Sequence, residues 1–183
     1  MTERSTLTVP ATDHRLSGER ADLLAQLTGV RHFLRFTTRD LSDEQVAAHP
    51  TPSELCLGGL IKHVTAVERG WADTIRTGKS MAKDFDDMTE EDFTRRADEF
   101  RMLPDDTLAG ILAAYDEVAA RTDEVVTTVP DLDATVKLPA APWFRESAWS
   151  IRRVLLHIIA ETAQHAGHAD IIREAIDGAK SMG

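Results

Sequence analysis

The sequence predicts an all-α protein built as a four-helix bundle. Four stretches of about 20–30 residues repeat apolar side chains every three or four positions, the period of a helix stripe. No stretch keeps a long strict alternation of apolar and polar residues, so no sheet is expected, and 135–138 supports a short strand at most. Proline- and glycine-bearing connectors separate the four stretches. Helices of that kind bury their stripes against one another, and a bundle is the simplest arrangement that does so.

The first 16 residues read as an N-terminal arm, and residues 17–183 as a single bundle domain. The first helix is expected over about Ser17–Thr38, with Leu23, Leu24, Leu27, Val30 and Leu34 on its stripe. Leu41–Gln45 carries a helix-start signal, but His49-Pro-Thr-Pro52 stops it, leaving one short turn. The second helix is expected from Ser53, as N-cap, to Thr77, with Gly78 as its stop. Residues 78–104 are acidic and weakly periodic, and Thr89-Glu-Glu-Asp92 marks a short helix start inside them. Asp105 or Asp106 is the expected cap of the third helix, about 106–127. Pro130, Pro139 and Pro142 keep 128–146 non-helical. The fourth helix is expected from a cap at Ser147 to Asp177, with Gly178 beyond it.

Composition narrows the function classes. The 183 residues hold 21 Lys and Arg against 31 Asp and Glu, a net charge of −10. A nucleic-acid binder needs a basic footprint, and an anionic lipid surface attracts cations, so neither partner is expected. A single cysteine, Cys56, excludes an internal disulfide and multi-cysteine metal sites, and reads as a structural cysteine. With no signal-like start and no membrane-length apolar run, the expected location is the cytoplasm.

The fourth helix carries the chemistry. Its seam runs Ile151, Val154, Ile158, Glu161, His165, His168, Ile172, Ala175, so one carboxylate and two imidazoles interrupt an apolar stripe. A bare charge on an inward seam is costly, so the carboxylate must be paired, protonated or metal-bound. Glu161 and His165 are four apart on one face, close enough to grip a single ion. His157 precedes Glu161 by one turn, off the seam, and His168 follows His165. A third ligand has to come from another helix, and His63 sits beside the stripe of the second. The set His63, Glu161 and His165 has the two-histidine, one-carboxylate composition of catalytic sites with open positions. A hydrogen-bonded Glu–His pair in the core is the competing reading. His157, His168, Trp143 and Trp149 are candidates for groups behind the ligands or against a substrate, and Arg152 and Arg153 for meeting an anion or solvent.

Two motifs carry a family resemblance. Trp149-Ser-Ile-Arg-Arg-Val-Leu-Leu-His157-Ile-Ile-Ala-Glu161-Thr-Ala-Gln-His165-Ala-Gly-His168 resembles the last helix of the DinB superfamily, in its mini-circle and mycothiol-transferase-like branch. Leu57-Gly-Gly-Leu-Ile-Lys-His63-Val-Thr-Ala-Val-Glu68-Arg-Gly-Trp71 resembles the second helix of the same branch. The resemblance implies up-down-down-up connectivity, a homodimer, and a divalent metal, zinc or nickel, on His63, Glu161 and His165. A glutamate at position 161 resembles the mycothiol-dependent maleylpyruvate isomerases.

The resemblance further implies a transferase that moves a low-molecular-weight thiol, mycothiol or similar, onto an electrophile. Two other functions stay open at this point: a metal-dependent hydrolase or isomerase using metal-bound water, and a non-catalytic ligand-binding or stress-response protein.

Overall fold

The computed structural model describes residues 16 and 18–181. The expected arm lies outside the described residues except for Leu16, as does the expected helix start at Ser17. Six α-helices and one two-stranded ribbon follow: α1 Glu19–Phe36, α2 Asp43–Ala47, α3 Leu57–Thr77, α4 Glu90–Asp98, α5 Leu108–Thr128, β1 Thr135–Lys137, β2 Ala148–Ser150 and α6 Ile151–Asp177. The four long helices are the expected four. The one-turn α2 and the short α4 stand where the two start signals were read, each closed by a capping box, Ser42 with Gln45 and Thr89 with Asp92.

Three caps differ from expectation. Cys56, not Ser53, caps α3, its Sγ accepting from the Gly59 N–H at 3.4 Å. Thr107 caps α5 in place of Asp105 or Asp106, because Asp106 instead accepts from the Leu103 N–H and Lys62. Ser150 caps α6 in place of Ser147, because residues 148–150 pair with 135–137 in an antiparallel ribbon. That ribbon corrects the expectation of no sheet. It turns Val136 and Trp149, opposite one another, into the core at the end where α6 starts.

The packing order follows from partners along the helices. α1 packs on α6 and α5, and α3 packs on α5 and α6, a closed ring. Arg152 at the start of α6 pairs with Glu19 at the start of α1, and Arg173 near its end donates to the Thr37 and Arg39 carbonyls just past α1. These helices are therefore parallel. Arg20 at the start of α1 donates to the Val126 and Val129 carbonyls at the end of α5, so that pair is antiparallel. Lys62 of α3 meets Asp106 before α5, and Ile75 near the end of α3 packs with Val125 and Val126, so α3 and α5 run together. The result is up-down-down-up.

Two apolar clusters fill the bundle. One holds Leu23, Leu27, Ile75, Val126, Val154 and Ile158; the other holds Leu34, Leu60, Ile61, Val64, Ile111 and Ile172. Between them lies a polar layer. Arg31 of α1 reaches Glu68 of α3 at 2.5 Å and Asp123 of α5 at 2.8 Å, and the Glu68 side chain is completely buried. Burial alone would lower the Arg31 pKa; the facing carboxylates of Glu68 and Asp123 more than reverse that. The two long connections are tied to each other, Phe85 N–H to the Ala140 carbonyl and Ala140 N–H to Asp84, and lie against the groove between α3 and α6. Among the described residues no helix is long and apolar enough to cross a membrane.

Removing one partner of a buried ion pair leaves the other charge uncompensated. We expect Glu68→Ala to lower unfolding free energy by about 3 kcal/mol, read from the midpoint of urea unfolding. A loss below about 1 kcal/mol, the ceiling for exposed pairs, would show that the layer does not carry this load.

Candidate metal centre

The antiparallel crossing of α3 and α6 sets the site. His63 lies two turns into α3, while Glu161 and His165 lie in the middle of α6 one turn apart. Each of the three offers one donor atom, and these atoms all lie within 4.8 Å of one another. His63 is buried, and Glu161 and His165 are partly buried. The His165 Nε2 to Glu161 Oε2 distance is 3.7 Å. A tetrahedral ion with bonds near 2.0–2.2 Å separates its ligands by about 3.3–3.6 Å. Small side-chain rotations would therefore bring the set to bonding distance. Two imidazoles and a carboxylate suit zinc, nickel or iron rather than calcium or magnesium.

The four remaining candidates divide. His168 is not among the converging donors; its Nδ1 lies 3.4 Å from the Nδ1 of His165, behind that ring. His157 is nearer the site than its off-seam position suggested, with Nε2 3.9 Å from Glu161 Oε1. Trp143 is 58% exposed, at the rim of the adjoining cavity. Trp149 is buried, stacked on Trp71 with ring centres 5.5 Å apart. Arg152 and Arg153 spend their charge on Glu19, Asp133 and Glu146, and Arg153 also lies over the Trp149 ring. Burial, the largest influence, holds both His157 and His165 below the ordinary imidazole pKa; for His165 the nearby His63 acts in the same direction. Both shifts favour the neutral ring, the state in which a nitrogen lone pair is free.

Two residues unremarked in the sequence, Glu99 and Phe100, and Trp71 of the second motif complete the surroundings. Glu99, just past α4, holds its carboxylate 3.3 Å from the His63 Nδ1. Phe100 stacks on the His63 ring, centroids 4.0 Å apart. Trp71, one turn from Val67 and Glu68, is edge-on to both His157 and Phe144. The signal for Glu99 and Phe100 lies in Gly58-Gly59. A Cβ on Gly59 would stand 2.0 Å from the Phe100 carbonyl oxygen, and one on Gly58 would stand 2.3 Å from the Met102 sulfur. The missing side chain at Gly59 lets the 99–102 backbone lie against the first turn of α3, and Gly58 leaves room for the Met102 side chain.

A cavity of about 500 Å³ opens beside two of the three donors, His63 and Glu161. His63, His157 and Glu161 form its floor, Trp71, Trp143 and Phe144 one wall, and Lys83, Asp92, Arg95 and Arg96 another. Asp92 is the hub of that second wall. Its buried carboxylate takes Lys83 at 2.6 Å, the Thr89 N–H and hydroxyl at 2.9 Å, and Arg95 at 2.5 Å. The Lys83 hydrogen bond above all, then those from Thr89 and Arg95, holds this carboxyl well below the ordinary range.

Comparisons with known proteins bear on the family and the fold. The model of the family described as mycothiol-S-transferase matches residues 22–178. A solved structure, of a conserved protein from Enterococcus faecalis, superposes with a TM-score of 0.67 at 10% identity, covering 90% of this chain and 100% of that one. At that identity the likeness concerns the fold. A comparison with curated proteins finds no match.

The Asp92 hub gives a pH dependence with a definite sign. Its folded-state pKa is depressed, so its contribution is fully present above the ordinary carboxylate value, about 3.9, and fades as pH falls below it. The protection factors of the α4 amides, corrected for the intrinsic exchange rate, should therefore fall as pH drops below about 4, before those of the α3 amides. Asp92→Asn should show fast α4 exchange already at pH 7. Equal α4 protection in the variant and the parent at pH 7 would refute the hub.

Proposed function

The chain belongs to the mycothiol-S-transferase family, and on that premise we propose that it transfers a low-molecular-weight thiol, mycothiol or a close analogue, onto an electrophile. His63, Glu161 and His165 hold a divalent cation, zinc or nickel by the nature of the donors. One observation carries the reading: of the three donors that converge among the described residues, two, His63 and Glu161, line a cavity large enough for small substrates.

When bound, such a cation lowers the pKa of a coordinating thiol, so that the nucleophile forms without any cysteine of the protein's own. The chain's residues supply the rest. His157, neutral and lining the cavity, accepts the thiol proton at Nε2. The sulfur then attacks the electrophilic carbon; a carbon–sulfur bond forms as the bond to the leaving group breaks. Its electron pair departs with the leaving group, and the proton held on His157 is returned to it. Trp71, Trp143 and Phe144 exclude water on that side and hold the electrophile. The thiol has to be present in reduced form, which places the work in the cytoplasm.

We also propose a homodimer through the outward face of α6. Leu156 and Ile171 are 52% and 64% exposed there, with exposed Ala160, Ala163 and Gly167 between them. Small residues allow the same face of a second copy to approach closely, and a two-fold pairing buries both aliphatic ends. Ile171→Glu should convert the assembly to monomer in sedimentation velocity at fixed protein concentration. An unchanged mass would reject this face.

His165→Ala should abolish stoichiometric zinc or nickel binding in isothermal titration, since it removes one of three ligands and leaves Glu161 without its partner. His157→Ala should keep the affinity within a few-fold and slow thiol-dependent consumption of the electrophile by about 10²-fold or more, the contribution of one proton-transfer group. Thiol-independent hydrolysis of the electrophile would overturn the transferase reading. Full-affinity binding by His165→Ala would overturn the ligand assignment.

A further inference from the structure

We propose that Glu99 is a positioning residue for His63: it fixes the imidazole through Nδ1 and so presents Nε2 toward Glu161 and His165. The inference rests on the metal reading for its purpose but not for its geometry. A carboxylate only accepts hydrogen bonds, so the 3.3 Å contact with Nδ1 puts the proton on that nitrogen. A neutral imidazole then has its lone pair on Nε2 alone. Metal-binding histidines commonly have the second nitrogen engaged in this way, which fixes tautomer and ring orientation and raises ligand basicity.

Two further contacts keep Glu99 in place. Phe100 lies on the His63 ring at 4.0 Å with planes 23° apart, closing off rotation of the ring on that side. The backbone between them is pinned at the start of α3, where the Cys56 thiol donates to the Phe100 carbonyl at 3.8 Å and Gly59 leaves room for it. Gly58 does the same for Met102 two residues on. The conformation at 99–102 is thus held by the first turn of the same helix that carries His63. Segment and ligand are therefore held against one helix, which fixes the 3.3 Å contact between Glu99 and His63. Glu99 side-chain exposure is 29%, so its loss removes an interaction without opening the core. Its place in the cavity wall also leaves it outside the set of three converging donors.

The test uses the full chain and two readouts. In the metal-free protein, long-range proton–nitrogen spectra of the His63 ring report the tautomer directly. We expect a single Nδ1–H form in the parent and a mixture in Glu99→Ala. With cobalt(II) as probe, Glu99→Ala should bind about 10- to 100-fold more weakly, the usual consequence of removing a partner behind a ligand. Glu99→Gln, whose carbonyl still accepts from Nδ1–H, should recover most of that loss. The cobalt absorption envelope should stay the same in all three, because the ligand set is the same. An unchanged tautomer in Glu99→Ala overturns the proposal, and so does an altered envelope, which would make Glu99 a ligand itself. Equal melting temperatures of parent and variant in the presence of chelator exclude a merely structural effect; a fall in the chelated Glu99→Ala protein that accounts for the weaker binding counts against the proposal. If the parent binds no cobalt at all, the metal reading fails while the tautomer measurement still decides the role of Glu99.

Discussion

The charge of Arg31 sits inside the bundle, and the rest of the architecture has to accommodate it. An apolar seam tolerates sliding, because one leucine replaces another with little loss. A buried guanidinium does not, because any shift along the axis leaves it facing hydrocarbon. With Glu68 on α3 and Asp123 on α5 as its partners, Arg31 fixes three helices at one height between two apolar clusters. Glu68 lies five residues beyond His63 on α3, so the same lock sets the height at which His63 meets α6. The site inherits its axial position from an ion pair that never touches it.

Lateral position comes from different forces. The aromatic group of Trp71, Phe144 and Trp149 interlocks the middle of α3 with the start of α6 and the connection before it. At the other side of the site the glycine pair at the start of α3 accepts the 99–102 backbone. The cavity is what remains between these two wedges. One wall is held by stacking and apolar burial, the other by hydrogen bonds converging on Asp92, and the floor is polar because its donors face one another.

The sequence was informative wherever an interaction is local or periodic. Glu161 and His165 announce themselves because four residues on a helix is a fixed distance, and His63 because it flanks a stripe that must face the same core. The helix starts in Leu41–Gln45 and Thr89–Asp92 were visible for the same reason, and capping boxes close them. Ser150 was missed because its role as cap depends on 148–150 first pairing with 135–137, and three-residue strands are too short to show alternation. Cys56 was missed because a thiol is a poor capping group by type, and only its position at the close approach of Phe100 gives it that place. Glu99 and Phe100 stand at the end of an acidic segment with nothing periodic about it. Their meeting with His63 is decided by space left empty at Gly58 and Gly59, and an absence of side chain carries no address for what will fill it.

The up-down-down-up order has a consequence for how the chain comes to be folded. α1 finds its parallel neighbour in α6, more than 110 residues later, and the three converging donors are likewise divided between α3 and α6. No adjacent pair of long helices in sequence forms an antiparallel hairpin that is complete on its own: α1 is followed by its diagonal α3, and α3 by its parallel neighbour α5. The contacts between the long helices are therefore all non-local in sequence, which slows the search for the native state. During synthesis α1, α3 and α5 leave the ribosome with one side of the ring missing. Their apolar stripes stay partly uncovered until α6 arrives, the stage at which a nascent chain has most need of a holding partner.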